Sequence, residues 1–275
     1  MNNVIPLWQP VGFSTHIIAK KVSEKLNLPT SHTGTLDPMA EGVIIVLLGE
    51  LRRKKYEYAH WLKDYEFEVV FGISTDTYDG LGKITNLKQL CKGSRGAAPN
   101  LSEKAIKEVL QTFVGKYSQN IPSYAAIKIN GKPMHWYARN NKLSEISIPT
   151  RNGEIRSLEL LETKKISAQE LSTNIINKIS LVSGDLRQKE CTKGWFSFSD
   201  SQKDSNYVLA RFRVVMSKGM YVRSLCVDIA KNLNTVAFTY SLVRTKNGEY
   251  SKENSKTLKE YFGDDYPIEY FNSLG

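Results

Sequence analysis

The sequence predicts an α+β domain. Strand-like and helix-like stretches follow one another without a regular β–α alternation, which argues against a doubly wound parallel sheet. Two stretches alternate at the strand period, Tyr65 to Phe71 and Tyr207 to Met216. Others repeat apolar residues at the helical period, as Ile17, Ile18, Val22 and Leu26 do near the N-terminus, and Leu225, Ile229 and Leu233 do further on.

Taken in order, Val4 to Leu7 reads as a short strand ending in a turn at Pro10-Val11-Gly12, and Ser14 or Thr15 is a suitable N-cap for the helix that follows. A loop from Pro29 to Met39 precedes a buried apolar element, Gly42 to Leu48. Arg52 to Lys63 is basic and helix-compatible, with Tyr56, Tyr58 and Trp61 among its cations. In Tyr65 to Phe71 the residues Tyr65, Phe67, Val69 and Phe71 share one face, and a polar loop runs from Gly72 to Gly82. Glu103 to Phe113 has an amphipathic pattern with Ser102 as its N-cap. Tyr124 to Ile129 reads as a strand, Asn130-Gly131 as a hairpin turn, and Met134 to Asn140 as a short helix. From about Lys164 to Asn206 the chain turns polar, with one possible helix at Ala168 to Ile179. We read this part as an irregular insertion between two strands. A helix over Val222 to Leu233 and a short charged extension after Tyr250 complete the chain, giving one catalytic domain over 1–250 and an extension over 251–275.

Composition narrows the partner. The net charge of +10 suits a polyanion, because lysine and arginine neutralise phosphates and release condensed counterions. The longest apolar run, Val43 to Leu48, is far short of the roughly 20 residues that span a bilayer, so no membrane partner is expected. The opening MNNVIPLWQP has neither the basic nor the apolar region of a secretory signal. Cys91, Cys191 and Cys226 are scattered, and His16, His32, His60 and His135 lack ligand spacing, so neither a disulfide framework nor a metal site is expected. The implied setting is the reducing cytoplasm.

Four places carry chemistry. In His32-Thr33-Gly34-Thr35-Leu36-Asp37-Pro38, the proline holds Asp37 in an extended conformation, although an Asp-Pro pair also serves as an ordinary turn cap. In Lys218-Gly219-Met220-Tyr221-Val222-Arg223, Tyr221 and Arg223 would share a face if the segment is extended. Tyr65 heads its strand, where a core tyrosine is equally natural. Thr75-Asp76-Thr77-Tyr78-Asp79-Gly80 resembles part of a calcium loop, but the later glutamate is missing.

In this order the four segments resemble the TruB family of tRNA pseudouridine synthases. The resemblance runs through GTLDPMAEGVIIVLLGE, Asp64-Tyr65, FGISTDTYDGLGKI, IPSYAAIKINGKPMHWYAR, SKGMYVRSLCVDIA and Leu242-Val243-Arg244, from about Pro6 to Arg244. It implies a pseudouridine synthase fold, with a mixed, mostly antiparallel sheet flanked by helices and a cleft across the sheet. It implies Asp37 as the catalytic carboxylate, Arg223 as its partner and Tyr65 as the tyrosine stacked on the target base. Tyr221 and Asp79 match further pocket positions, Leu242 and Arg244 match lining positions, and His32 matches the histidine of the RNA-binding loop. Arg53 stands where relatives carry a basic, RNA-facing lysine. Gln9-Pro10 replaces the family's Lys-Pro, and the extension after Tyr250 is too short for the C-terminal RNA-binding module of the PUA type.

The activity so implied is conversion of uridine at position 55, in the T-loop of tRNA, to pseudouridine. A monomer acting on the T-arm, without cofactor or metal, is expected. Asp37 either attacks C1′ or takes a proton from C2′, and the sequence does not choose. Lys20, Lys21, Arg52, Arg53, Lys54, Lys55 and Lys63 are candidates for tracking phosphates. Two other readings remain: a synthase acting on ribosomal RNA within a guide-RNA particle, and an RNA-folding protein that has lost activity. The presence of Asp37, Tyr65 and Arg223 speaks against the second.

Overall fold

The computed structural model describes residues 3–87 and 100–263. Its strands are β1 (Val4–Gln9), β2 (Thr30–His32), β3 (Ala40–Leu48), β4 (Lys63–Phe71), β5 (Ile73–Thr75), β6 (Ile84–Leu87), β7 (Gly115–Asn120), β8 (Lys128–Ile129), β9 (Lys132–Pro133), β10 (Thr150–Ser167), β11 (Asn206–Met216), β12 (Ala237–Asn247), β13 (Tyr250–Ser251) and β14 (Lys256–Thr257). The helices are α1 (Thr15–Leu26), α2 (Lys55–Ala59), α3 (Glu103–Gln111), α4 (Met134–Arg139), α5 (Ala168–Ser180), α6 (Gln188–Ser201), α7 (Val222–Asn232) and α8 (Leu258–Phe262). Cys91 lies outside the described residues.

Among these residues one ten-stranded sheet runs β14-β1-β3-β12-β4-β11-β10-β7, with β13 beside β12 and β2 beside β3. Only the β1–β14 and β3–β12 pairs are parallel, so the α+β expectation holds. The predicted face of β4 is the one observed: Tyr65, Phe67, Val69 and Phe71 enter the main core, with α1, α3, α7 and α8. In β3, Ile44, Val46 and Leu48 point to that core, while Val43, Ile45 and Leu47 join a second cluster with Val4. Burial on both faces explains why this strand is a continuous apolar run.

Several boundaries differ from expectation. Arg52 to Lys63 is not one helix: a 3-10 turn over Gly49–Lys54 leads into the short α2, and Lys63 already belongs to β4. Of Tyr124 to Ile129 only β8 is strand, and it turns into β9 through Asn130 and Gly131, both at positive φ (49° and 79°) as a type I′ turn requires.

The polar stretch 164–206 is the largest correction. It is no irregular insertion. β10 runs on to Ser167, α5 and α6 form a helical pair, and β11 begins at Asn206. Ser167 caps α5 by accepting a hydrogen bond from Glu170 N. The buried side chains are sparse but well spaced: Leu171, Ile175 and Ile179 on α5, Cys191, Trp195 and Phe198 on α6. They pack with Val70, Leu209, Phe238 and Tyr240 of the sheet and with Met39 and Leu81 of two loops, forming a third cluster.

The domain does not end at Tyr250. β14 adds to the sheet edge in register Leu7↔Lys256 and Trp8↔Thr257, and Leu258 and Phe262 of α8 are buried in the main core.

Candidate active site

Asp37 sits on the loop between β2 and β3, which is held from several sides. Thr15 Oγ1 accepts from Leu36 N at 3.0 Å and donates to Gln9 Oε1 at 2.6 Å, and Gln9 Nε2 donates to Phe13 O at 2.9 Å. Both Gln9 and Thr15 are fully buried, and together they form a neutral, satisfied network. Gly12 N donates to Pro38 O at 2.9 Å, and Asp37 O accepts from Ala40 N at 3.0 Å. Arg244, 1% exposed, donates from Nη2 to Gly34 O at 3.2 Å and from Nε to Val43 O at 2.7 Å. Arg244 lies opposite Gly42 on β3, where φ is 130° and a Cβ would sit 2.3 Å from Arg244 O, so only glycine fits this approach.

Arg223 meets Asp37 in a two-pronged pair, Nε to Oδ2 and Nη2 to Oδ1, each 2.8 Å. Its Nη1 donates to Thr77 O at 2.7 Å, and Asp79 Oδ2 stands 3.8 Å from its Nε. Burial works against the Arg223 charge, but the carboxylates of Asp37 and Asp79 outweigh it and raise its pKa. The arginine side chain is 4% exposed while that of Asp37 is 29% exposed, so the carboxylate faces the cleft and the guanidinium supports it from behind. Tyr221 and Arg223 do not share a strand, contrary to expectation: Tyr221 is extended at the N-cap of α7, and Arg223 lies in the first helical turn. Gln119 of β7, buried, fixes this junction by accepting from Tyr221 N at 2.5 Å and donating to Tyr221 O at 3.2 Å. Burial, then the charge of Asp37, raises the Tyr221 phenol pKa.

Asp79 is buried in the loop that follows β5. Its Oδ1 accepts from Thr77 Oγ1 at 2.6 Å and Leu81 N at 3.0 Å. Burial raises its pKa and prevails over Arg223, which pulls the other way. Tyr78 between them adopts φ 64°, costly for an aromatic residue, and donates no side chain to the cleft lining. That conformation accompanies the two contacts that tie the loop inward, Thr77 O to Arg223 and Tyr78 O to Thr239 N at 2.9 Å.

These groups line one cleft of about 860 Å³, which also takes in Tyr65, Leu242, Arg244, Tyr221 and Lys63. Tyr65 is 8% exposed and lies cross-strand from Arg244. His32 and Arg53 are not among the lining residues. His32 is on β2, opposite Val46, and burial first, then neighbouring His16 and Arg244, lower its pKa to about 4. Arg53 is exposed and paired with Glu50 at 2.7 Å. Lys21 and Lys63 are not surface cations: Lys21 is buried against Glu24 at 2.8 Å, and Lys63 donates to Ala59 O and Trp61 O at 3.0 and 2.7 Å. The cleft lining also includes Arg139, Arg151 and Lys218, and Arg187, whose guanidinium is paired with Asp76. Sequence reasoning did not single these out as site residues, nor Gln119 and Thr77. A lone glutamine in KYSQN and a backbone carbonyl leave no pattern to read.

No helix among the described residues is long and apolar enough to cross a membrane. The chain is similar in fold to chains of two solved complexes. It aligns over 98% of its length with 58% of a chain in the crystal structure of a Cbf5-Nop10-Gar1 complex, at TM-score 0.56 and 21% identity. A chain in an H/ACA RNP bound to a substrate RNA containing 2′-deoxyuridine gives TM-score 0.54, 20% identity, and coverage of 98% and 57%. At that identity the likeness establishes the fold. Among curated proteins, tRNA pseudouridine synthase B of Oceanobacillus iheyensis is 32% identical over 94% of this chain and 69% of its own. The Aquifex aeolicus protein of the same name is 30% identical over 98% and 77%. Residues 24–178 match the model of the TruB family pseudouridylate synthase N-terminal domain. With Asp37, Tyr65, Asp79 and Arg223 gathered in one cleft of the family's fold, the chain belongs to the TruB family of pseudouridylate synthases.

Proposed function

We propose that the protein converts the uridine at position 55, in the T-loop of tRNA, to pseudouridine, with Asp37 as the reacting carboxylate. The observation that carries this reading is the Arg223–Asp37 pair, 2.8 Å at both prongs, presented at the wall of a cleft large enough for an extracted nucleotide. The relatives' name supplies the substrate class.

The reaction breaks the C1′–N1 bond and joins C1′ to C5 of the same uracil. A proton leaves C5 and one is gained at N1, so the change is an isomerisation that balances without a co-reactant. Asp37 serves either as the nucleophile at C1′ or as the base at C2′. Both roles need the carboxylate held in one orientation, which the guanidinium fork supplies. Tyr65 supports the detached ring and relays the C5 proton. Asp79, Tyr221 and Leu242 shape the pocket around the base, and Arg244 fixes the Asp37 loop. Arg151 and Lys218 at the rim, with Arg53 and His32 beyond it, meet the T-arm, where recognition rests on shape and on splayed bases. The protein acts as a monomer in the cytoplasm.

Incubation with an unmodified tRNA transcript, followed by carbodiimide labelling and primer extension, tests this. The expected result is one stop in the T-loop for the wild type and none for Asp37→Asn, which still binds the transcript. Near-normal product from Asp37→Asn sinks the assignment. Binding by the wild type without product in any transcript sinks the activity.

A further inference from the structure

The helical pair α5–α6 touches both loops that hold the reacting groups. Toward the Asp79 loop, Arg187 grips Asp76 with two prongs, Nη1 to Oδ2 at 2.8 Å and Nη2 to Oδ1 at 3.2 Å. Trp195 Nε1 donates to Gly80 O at 2.9 Å, and Cys191 Sγ donates to Leu81 O at 3.0 Å. Asp76 in turn closes the loop by accepting from Lys83 N at 2.9 Å. Toward the Asp37 loop, Ser183 N donates to Gly12 O at 3.2 Å, while Gly12 N donates to Pro38 O. Gly12 has φ 92°, and a Cβ there would lie 2.0 Å from Leu181 O, so the helical pair and the first turn are in direct backbone contact.

The inner side of the same loop meets Arg223 through Thr77 O at 2.7 Å. A continuous path therefore runs from α6 through Asp76 to the neighbouring Thr77 carbonyl, then to Arg223 and Asp37. Trp195 is fully buried, yet its one polar atom is spent on the loop, not on its own helix. Arg187 holds φ 64°, an unusual conformation for arginine, at the residue whose side chain crosses to Asp76 and lies over the Tyr124 ring at 4.6 Å. Strain at a position that makes such contacts points to a role there.

We propose that α5–α6 is a positioning element for the reaction, and that Arg187 and Trp195 are its positioning residues: they fix the 76–83 loop, and through Thr77 O the Arg223 guanidinium that orients Asp37. The inference rests on Asp37 being the reacting carboxylate. It assigns a task to the segment whose sequence reads as a polar insertion with one possible helix.

Three variants of the full chain test it. Trp195→Phe keeps a buried ring and removes the donor to Gly80 O. Arg187→Gln removes the guanidinium fork, and Arg187→Lys restores the charge without it. In the free protein, amide exchange at Leu81 and Lys83 is expected to quicken about tenfold in Trp195→Phe and Arg187→Gln, the scale of one lost hydrogen bond, with β4 amides unchanged. In single turnover with saturating tRNA transcript, the rate is expected to fall about tenfold while the transcript's Kd stays the same, and Arg187→Lys to lie between. Unchanged loop exchange overturns the inference. So does equal quickening in β4, which means lost global stability, and so does weaker RNA binding with an intact rate, which means a contact to RNA. Absence of product from the wild type counts against the proposed function alone, because loop exchange still reads the positioning role.

Discussion

Asp37 depends on neighbours that never touch substrate. Thr15 is one of them: its hydroxyl bridges Leu36 N, one residue before Asp37, and Gln9 Oε1, all on buried residues. Thr15→Val keeps the shape and strands a buried amide and a buried carbonyl. Its unfolding free energy in urea is expected to fall by about 1–3 kcal/mol, the cost of unsatisfied buried polar groups, and the turnover rate to fall with it. A variant as stable as the wild type would mean that Leu36 N finds another partner. Tyr65 is a different case, because its phenol belongs to the cleft. Tyr65→Phe keeps the ring among Phe67 and Phe71 in the core and removes only the hydroxyl. It should fold normally and lose on the order of 100-fold or more in single-turnover rate, the usual scale for a proton-transfer group. Wild-type rates would leave Tyr65 as a stacking surface alone.

At the scale of elements, the sequence is legible where one face repeats and illegible where contacts arrive from far along the chain. Periodicity located β4, β11, α1, α3 and α7 to within a few residues. It passed over β12, the strand between β3 and β4, because its buried residues occur on both faces and no alternation stands out in AFTYSLVRTKN. It read α6 as loop because only Cys191, Trp195 and Phe198 of its residues are buried, amid serine, lysine and aspartate. The site residues Asp37, Tyr65, Asp79 and Arg223 were legible through motif resemblance, whereas Gln119 and Arg187 act through pairings with residues about a hundred positions away. The end of the chain shows the same limit. Its charged composition hides Leu258 and Phe262, which close the β1 side of the core. Phe262→Ala should therefore cost about 3–5 kcal/mol in denaturant, as for a core aromatic, where a loose tail would give a change near zero. The midpoint shift measures which holds.

For the molecule as a whole, with a net charge of +10, two basic groups near the cleft are packed into the fold, His32 and Lys63, and this shapes how stability responds to pH. His32 is packed so that its pKa falls from 6.5 to about 4, chiefly by burial. Between those values the unfolded chain binds a proton that the folded chain refuses, so stability falls as pH drops through this window and levels off below it. Lys63 behaves alike at the alkaline end: burial, then Arg244 and Lys218, lower its pKa from 10.5 to about 8. Its protonated form is disfavoured in the fold, so stability rises with pH from about 8 toward 10.5. Each shift spans a few units at about 1.4 kcal/mol per unit, hence roughly 3 kcal/mol at full effect. Urea midpoints measured from pH 4 to 10 for the wild type, His32→Gln and Lys63→Met separate the two. His32→Gln should flatten the acid limb and leave the alkaline limb alone, and Lys63→Met should do the reverse, whatever each loses in absolute stability. An acid limb of wild-type slope in His32→Gln would show that the carboxylates, not this imidazole, govern the loss of the fold in acid.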